Sequence, residues 1–405
     1  MITITDKTKC CGCGACFNIC PKHCITMRAD AEGFLYPSVD KQNCVNCGLC
    51  EKVCPVLHVP SLTNLPQAYA AKNISDEIKL KSSSGGMFTA LAEYILARGG
   101  VVFGAGFDKN WNVCHQYAET IDDLDKLRRS KYVQSDIGHT FEQAKNFLQQ
   151  SREVLFTGTP CQIAGLKNYL GKDYANLLTA DIICHATPSP NVWQKFLTQN
   201  FTVSQIRAIN FREKHFDWTH FYLSFLMPHA LCAHGNVQTI NEKIFFHIRA
   251  AAAVIYRNCF LKAFLQELIN RPSCHVCQFK GQKRAADFTL GDLWGKWDRL
   301  ITNEDRRYGI SALLVNSTKG RQVLSQIKAI SITPVDLEQV ARFNSALRTS
   351  TKAHPRRKEF FSLYDKTPLK ILIPRLLGEK PLVIQIPLSF MRKVCSKLYR
   401  LLLHK

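Results

Sequence analysis

The chain has 405 residues, 46% of them apolar and 21% charged, which is long enough for more than one domain around a sizeable core. Its formal net charge is +21, yet no recognised nucleic-acid motif accompanies that charge, so a nucleic-acid partner is excluded. The longest apolar candidate, Ile371 to Leu388, is broken by three prolines and three charged residues, so no membrane span is expected.

The start, MITITDKTKCC, has neither the basic opening nor the apolar core of a signal peptide, and the cytoplasm is the expected location. Eighteen cysteines in such a chain point to metal rather than to disulfides, and to a reducing, low-oxygen setting. Ten of them fall between Cys10 and Cys54. Cys10, Cys13, Cys16 and Cys20-Pro21 form the run C-x2-C-x2-C-x3-C-P, and Cys44, Cys47, Cys50 and Cys54-Pro55 repeat it. In this arrangement three cysteines of a run hold one [4Fe–4S] cube and the fourth crosses to the other cube. The spacing therefore assigns Cys10, Cys13, Cys16 and Cys54 to one cluster, and Cys44, Cys47, Cys50 and Cys20 to a second. Gly12, Gly14 and Gly48 let the backbone close around the sulfides. Zinc prefers two ligand pairs per ion and suits these four-cysteine runs poorly. Cys11 and Cys24 fall outside the pattern and read as small packing residues.

Residues 1–57 are thus expected to form a bacterial-type ferredoxin module, and the proline-bearing stretch 58–66 a linker. From residue 67 to about 330, apolar runs alternate with helical patterns, as in an α/β domain. VVFGAGF (101–107), EVLFTG (153–158) and LLTADIIC (177–184) read as buried strands. MFTALAEYILARGG (87–100), CQIAGLKNYLG (161–171) and NVWQKFLTQNF (191–201) read as helices. Residues 331–405 read as a basic, proline-punctuated C-terminal extension.

Two further features carry chemistry. KSSSGGMFTAL (81–91) sets serines and glycines before a helix, which suits either a flavin or nucleotide phosphate or an ordinary serine cap. Lys131 is either a phosphate or flavin partner or a solvated charge. Cys161 opens a helix after Gly158-Thr159-Pro160, where a lowered thiol pKa is expected. With Cys184, Cys274 and Cys277 it completes a set of four thiols, enough for a third cube; a zinc ribbon and isolated thiols are the alternatives.

These motifs resemble the coenzyme F-420 hydrogenase/dehydrogenase beta-subunit family, in its bacterial form with a fused N-terminal two-cluster ferredoxin domain. The matching stretches are SSSGGMFTAL (82–91), SKYVQSD (130–136), LFTGTPCQIAGL (155–166), DIICHATPSPNVW (181–193), NFREK (210–214) and RPSCHVCQFKGQKRAADFTLGDLWG (271–295). Ala186 and Ala286 depart from the family's usual glycine and serine. The resemblance implies an α+β chain in which the ferredoxin domain precedes an α/β flavin-binding domain. It implies FAD contacts at Ser84, Gly85 and Gly86, flavin neighbours at Lys131 and Thr159, and a third cluster on Cys161, Cys184, Cys274 and Cys277. Asp292 and Trp294 match a family signature without a derived role.

The expected activity is oxidoreduction, with electrons passing from a ferredoxin or other redox protein through the clusters and FAD to a small-molecule or protein-bound two-electron substrate. The alternative is a non-catalytic electron-transfer subunit of a larger complex. Each oxidised cube with its thiolates carries roughly −2, so the loaded protein is less basic than its sequence. The remaining positive charge suits a solvated surface, an acidic donor or an anionic substrate. Residues 380–405 combine apolar and basic side chains, and a peripheral contact with an anionic bilayer is weighed there against a terminal segment docked on the protein itself.

Overall fold

The computed structural model describes residues 1–59, 65–214, 218–219, 221–227, 237–240, 243–249, 259–295, 297 and 300–379. The bilayer reading of 380–405 and the middle of the expected linker lie outside those residues. Among the described residues no helix is long and apolar enough to cross a membrane.

The strands in chain order are β1 (Ile25–Ala29), β2 (Leu35–Val39), β3 (Gln67–Asn73), β4 (Val101–Phe107), β5 (Val113–Ala118), β6 (Val154–Gly158) and β7 (Leu177–Ile182). They continue with β8 (Ala208–Glu213), β9 (Tyr222–Met227), β10 (Val237–Ile240), β11 (Lys243–Arg249), β12 (Phe288–Asp292), β13 (Ser311–Val315) and β14 (Ile330–Val335). Eight of them form one mixed sheet in the order β14-β3-β13-β12-β7-β6-β4-β5. Its centre, β4, β6, β7 and β12, is parallel, and the pairings outside that centre are antiparallel.

The three strands read from sequence lie in that parallel centre, because a strand covered on both faces is apolar throughout. Val101, Phe103, Val154 and Phe156 face the helices Thr140–Gln149 and Pro160–Leu170. Their neighbours Val102 and Leu155 face the helix Met87–Leu96. A four-stranded antiparallel sheet, β10-β11-β9-β8, stands apart and shares an aromatic core with the helix Pro190–Asn200. β1 and β2 form the hairpin of the cysteine module.

Residues 331–376, set apart in the sequence as an extension, are built into the large domain. β14 pairs with β3 at the sheet edge, and Phe360, Leu369, Leu372 and Ile373 are buried in the aromatic core. The sheet carries the parallel strands' C-terminal ends to one side, where an open α/β sheet makes a binding crevice.

Candidate functional site

The duplicated cysteine motif folds as two copies of one turn. Gly14 (φ 72°) and Gly48 (φ 75°) precede the short helices Ala15–Ile19 and Leu49–Lys52 in the left-handed region. A side chain at either position would be strained, so the glycines fix how the flanking thiols point. Cys10, Cys13, Cys16 and Cys54 line one hollow, with Cys11 beside them. Cys20, Cys44, Cys47 and Cys50 line a second, where the Cys24 Sγ lies 3.4 Å from the Cys20 Sγ. The two foursomes are those assigned by the crossed spacing.

A third hollow, of about 80 Å³, is lined by Cys161, Cys184, Cys274 and Cys277. Cys161 sits in the first turn of the helix Pro160–Leu170, Cys184 follows β7, and the turn Pro272–Val276 carries Cys274 up to Cys277. Long-range folding brings together thiols separated by more than a hundred residues. Cys11 lines this hollow as well as the first. Its thiol contacts those of Cys13 and Cys161, so while it packs against the core it also lies between two cysteine groups. Its position directly beside Cys10 was the sole hint in the sequence.

The expectation of a low Cys161 pKa is not met. Contact with the Cys11 thiol, burial and the nearby Cys11 charge push Cys161 well up, against the pull of Thr159 and Arg271. Burial, with Cys161 and Cys274 nearby, likewise pushes Cys277 up to about 11. Thiolates crowded in this way are stabilised by a cationic centre that binds them. Among the described residues, no three His, Cys, Asp or Glu side chains gather closely enough to hold a single metal ion. An iron–sulfur cube takes four thiolate donors, the number that this hollow presents.

Against the third hollow lies a larger cavity of about 540 Å³, within the usual size of a cofactor site. Ser84, Gly86, Lys131 and Thr159 line it. Gly86 (φ 87°) caps the helix Met87–Leu96 and so brings that helix's N-terminus to the wall. Gly85 is different. Its amide is donated to Ser311 Oγ at 3.0 Å, and a Cβ there would meet Ala71 O at 2.5 Å. Its lack of a side chain serves packing against the sheet, and its N–H is not free for a phosphate.

The Lys131 ammonium donates to the carbonyl oxygens of Arg128 (2.7 Å), Lys126 (3.1 Å) and Arg129 (3.3 Å). Burial, then the Arg129 charge, lowers its pKa to about 7. Thr159 begins the helix Pro160–Leu170, its Oγ1 3.1 Å from Cys161 Sγ. Thr159, Cys184 and His185 line both the cavity and the third hollow, forming a shared wall.

Sequence reasoning missed much of the remaining wall. Arg212 of β8 pairs with Asp292 at the end of β12, and its guanidinium lies 4.3 Å from the Phe221 ring. Trp294 stacks on Trp218 at 4.7 Å. This gives the Asp292 and Trp294 signature a role in closing one end of the cavity. Phe343, Asn344 and Ser345, from the stretch read as an extension, also line it.

His115 supplies a test of the cavity's electrostatics. Its Nε2–H donates to the Thr157 carbonyl at 3.0 Å, which leaves Nδ1 to accept from Ser135 Oγ at 2.7 Å. Burial first, and the Lys131 charge next, lower its pKa to about 4 despite the Thr157 carbonyl. The unfolded chain therefore binds the proton first as pH falls. The neutral ring's contribution is complete above about pH 6.5 and is lost on the way to pH 4, amounting to about 3 kcal/mol in full. Thermal midpoints measured from pH 7 to pH 4 are expected to fall less steeply in His115→Gln than in the wild type. Parallel curves would reject this role.

Comparison with known proteins follows the same division of the chain. Residues 9–57 match the family described as 4Fe-4S dicluster domain. Residues 68–140 and 151–338 match the N-terminal and C-terminal parts of the family described as coenzyme F420 hydrogenase/dehydrogenase, beta subunit. Among curated proteins, a coenzyme F420-dependent sulfite reductase of Methanocaldococcus jannaschii is 22% identical over 363 residues, covering 88% of this chain and 52% of that protein. The chain thus spans about half the length of the curated relative it matches. Among solved structures, a chain of the F420-reducing [NiFe] hydrogenase complex from Methanosarcina barkeri aligns with a TM-score of 0.45 and 18% identity, over 76% of this chain and 94% of that one.

Proposed function

The chain belongs to the coenzyme F420 hydrogenase/dehydrogenase beta-subunit family of oxidoreductases, with a [4Fe–4S] ferredoxin-type domain before it, and on that premise we propose that it is an iron–sulfur flavoenzyme. In this reading it takes electrons from a ferredoxin or similar redox protein and delivers them in pairs to a small-molecule or protein-bound substrate. One observation carries it. Three compartments adjoin in series, with Cys11 on both sides of the first boundary and Thr159, Cys184 and His185 on both sides of the second.

Cys10, Cys13, Cys16 and Cys54 would hold one cluster, and Cys20, Cys44, Cys47 and Cys50 another. Cys161, Cys184, Cys274 and Cys277 would hold a third. Ser84 and Gly86, at the N-terminus of the helix Met87–Leu96, suit the phosphates of FAD. When bound, the clusters would supply single electrons and FAD would pair them for a hydride equivalent. The chain's own residues supply the rest. Lys131, fixed by three carbonyls, holds its amino group on the cavity wall with a pKa near neutrality, so that it can carry or release a proton there. His115, held neutral, adds no competing charge. Trp294 and Phe221 shield one end from water. A reducing cytoplasm suits so many exposed and half-buried thiols.

Anaerobically purified protein is expected to contain FAD. Protein reconstituted with iron and sulfide that shows no flavin absorption, and no noncovalent FAD by native mass spectrometry, would overturn the flavin reading. A second reading, an electron-transfer subunit without its own substrate, is favoured by the chain's spanning about half of the sulfite reductase relative. Turnover of any small molecule by the isolated chain with a chemical reductant would dismiss it.

A further inference from the structure

Arg271 is fully buried, at 0% exposure, and is the first residue before the turn that carries Cys274. Its side chain leaves that turn and reaches into the cysteine module. Nε donates to the Cys10 carbonyl at 2.8 Å and Nη2 to the Leu35 carbonyl at 2.9 Å. Nη1 donates to Gln134 Oε1 at 2.9 Å, and Gln134 Nε2 in turn donates to the Cys11 carbonyl at 3.2 Å. Nη2 also points at the Cys10 Sγ, 3.7 Å away. The guanidinium lies over the Tyr36 ring at 4.3 Å. The loop has no room for anything else: a Cβ on Gly12 would meet Gln134 Nε2 at 2.6 Å and Arg271 Nη1 at 2.8 Å.

The partners of this buried cation are carbonyls, an amide, an aromatic face and a cysteine sulfur, and among the described residues no carboxylate pairs with it. A buried charge is costly unless an opposite charge meets it. The available counter-charge is the thiolate sulfur of Cys10 and whatever anionic group that thiolate binds. Hydrogen bonds and positive charge at cluster sulfur stabilise the more negative, reduced form. At the group of Cys20, Cys44, Cys47 and Cys50 the Ile2 N–H points at Cys50 Sγ, 3.4 Å away, and Met1 and Lys22 line the hollow, but among the described residues no buried arginine side chain hydrogen-bonds to it. The Met1 ammonium there pairs with Glu51 at 3.3 Å.

We propose that Arg271 is a positioning residue that raises the reduction potential of the cluster held by Cys10, Cys13, Cys16 and Cys54 above that of its partner in the module. Reduction of that cluster adds one electron and one unit of negative charge, with no bond broken, and the electron comes from an external one-electron donor. An electron arriving at the outer cluster is thereby drawn toward the third hollow, whose first turn Arg271 begins. The inference rests on the two-cluster reading of residues 9–57, and iron quantitation on the same samples shows separately whether that reading holds.

The test is a dithionite-poised potentiometric titration of the full chain, purified anaerobically and followed by electron paramagnetic resonance. In the wild type the two module clusters are expected to titrate as separate one-electron steps; coincident steps would overturn the proposal. In Arg271→Gln, with iron content unchanged, the higher step is expected to drop by a factor of ten or more in its equilibrium constant, about 59 mV for one electron. Arg271→Lys, which keeps the charge, is expected to recover most of that drop. An Arg271→Gln protein with full iron and unmoved potentials would sink the idea. If Arg271→Gln loses iron, the wild-type separation and the Arg271→Lys titration decide, and an Arg271→Lys protein whose two steps coincide counts against the proposal.

Discussion

Replacing Cys274 with alanine is expected to lower the iron content of the anaerobically purified chain from about twelve atoms to about eight, and to leave any bound flavin in place, if the proposed third cluster is held there. Cys274 is a member of the third hollow alone, so its loss leaves both foursomes of the module intact. The thiol is half-buried, and the Thr187 Oγ1 lies 3.5 Å away, so removing it leaves no buried charge behind. A cube that loses one of four thiolates is expected to be lost in purification, as removal of a ligand typically undoes a site whose binding is coupled to local folding. Colorimetric iron and sulfide with flavin absorbance on one sample makes the measurement. An unchanged iron content would mean that the four thiols do not share a cluster. A parallel Cys259→Ala protein, altered in the aromatic core, is the control and should keep its iron.

Truncating Trp193 to alanine is expected to cost about 3–5 kcal/mol of stability. Trp193 is fully buried and stands at the centre of an aromatic group. Its ring lies 4.9 Å from Phe211, 5.1 Å from Phe260 and 5.8 Å from Phe196. Its indole N–H donates to the Trp111 carbonyl at 2.9 Å. Truncation therefore opens a cavity and also leaves a backbone acceptor without its donor. Urea denaturation under anaerobic conditions, with circular dichroism as the probe, measures it. A change below about 1 kcal/mol would show that the core closes around the gap.

The parts of the fold that were readable from sequence are those where local chemistry and burial agree. Val101–Phe107 and Val154–Gly158 are apolar at nearly every position because both faces are covered, and no local rule competes with that pattern. The cysteine runs were readable because spacing alone decides which thiols can share a turn. β14 was not. Its residues Ser331 to Pro334 run along the exposed edge of the sheet, so ISITPV carries no burial pattern, and Pro334 is tolerated because an edge strand has amides to spare.

The candidate site divides in the same way. Ser84, Gly86, Lys131 and Thr159 meet at one cavity because each lies in or beside a connection between elements, where a sheet of this topology gathers its loops. Gly85 was misread because a glycine needed for packing and a glycine needed for a ligand look alike in a sequence. The low pKa expected of Cys161 failed for a non-local reason. Cys11 comes from a separate module, and its thiol outweighs the helix terminus. Arg212 lay within the matched motif NFREK without a stated role, since its partner Asp292 is contributed by a distant strand.

The tip of the β1–β2 hairpin is gripped by residues made much later. Glu32 pairs with Arg357, 325 residues downstream, its carbonyl accepts from Ser189 Oγ at 2.5 Å, and the Ala31 carbonyl accepts from Tyr364 Oη at 3.2 Å. At a synthesis rate of about 5–20 residues per second, Arg357 emerges about 16–65 s after Glu32. For that interval the hairpin tip has left the ribosome while the side chains of Arg357 and Tyr364 that will hold it have not yet been made. The module's hairpin is thus locked in place only once the chain has been made to residue 364, so its two halves are joined late although its own cysteine runs are complete by residue 54.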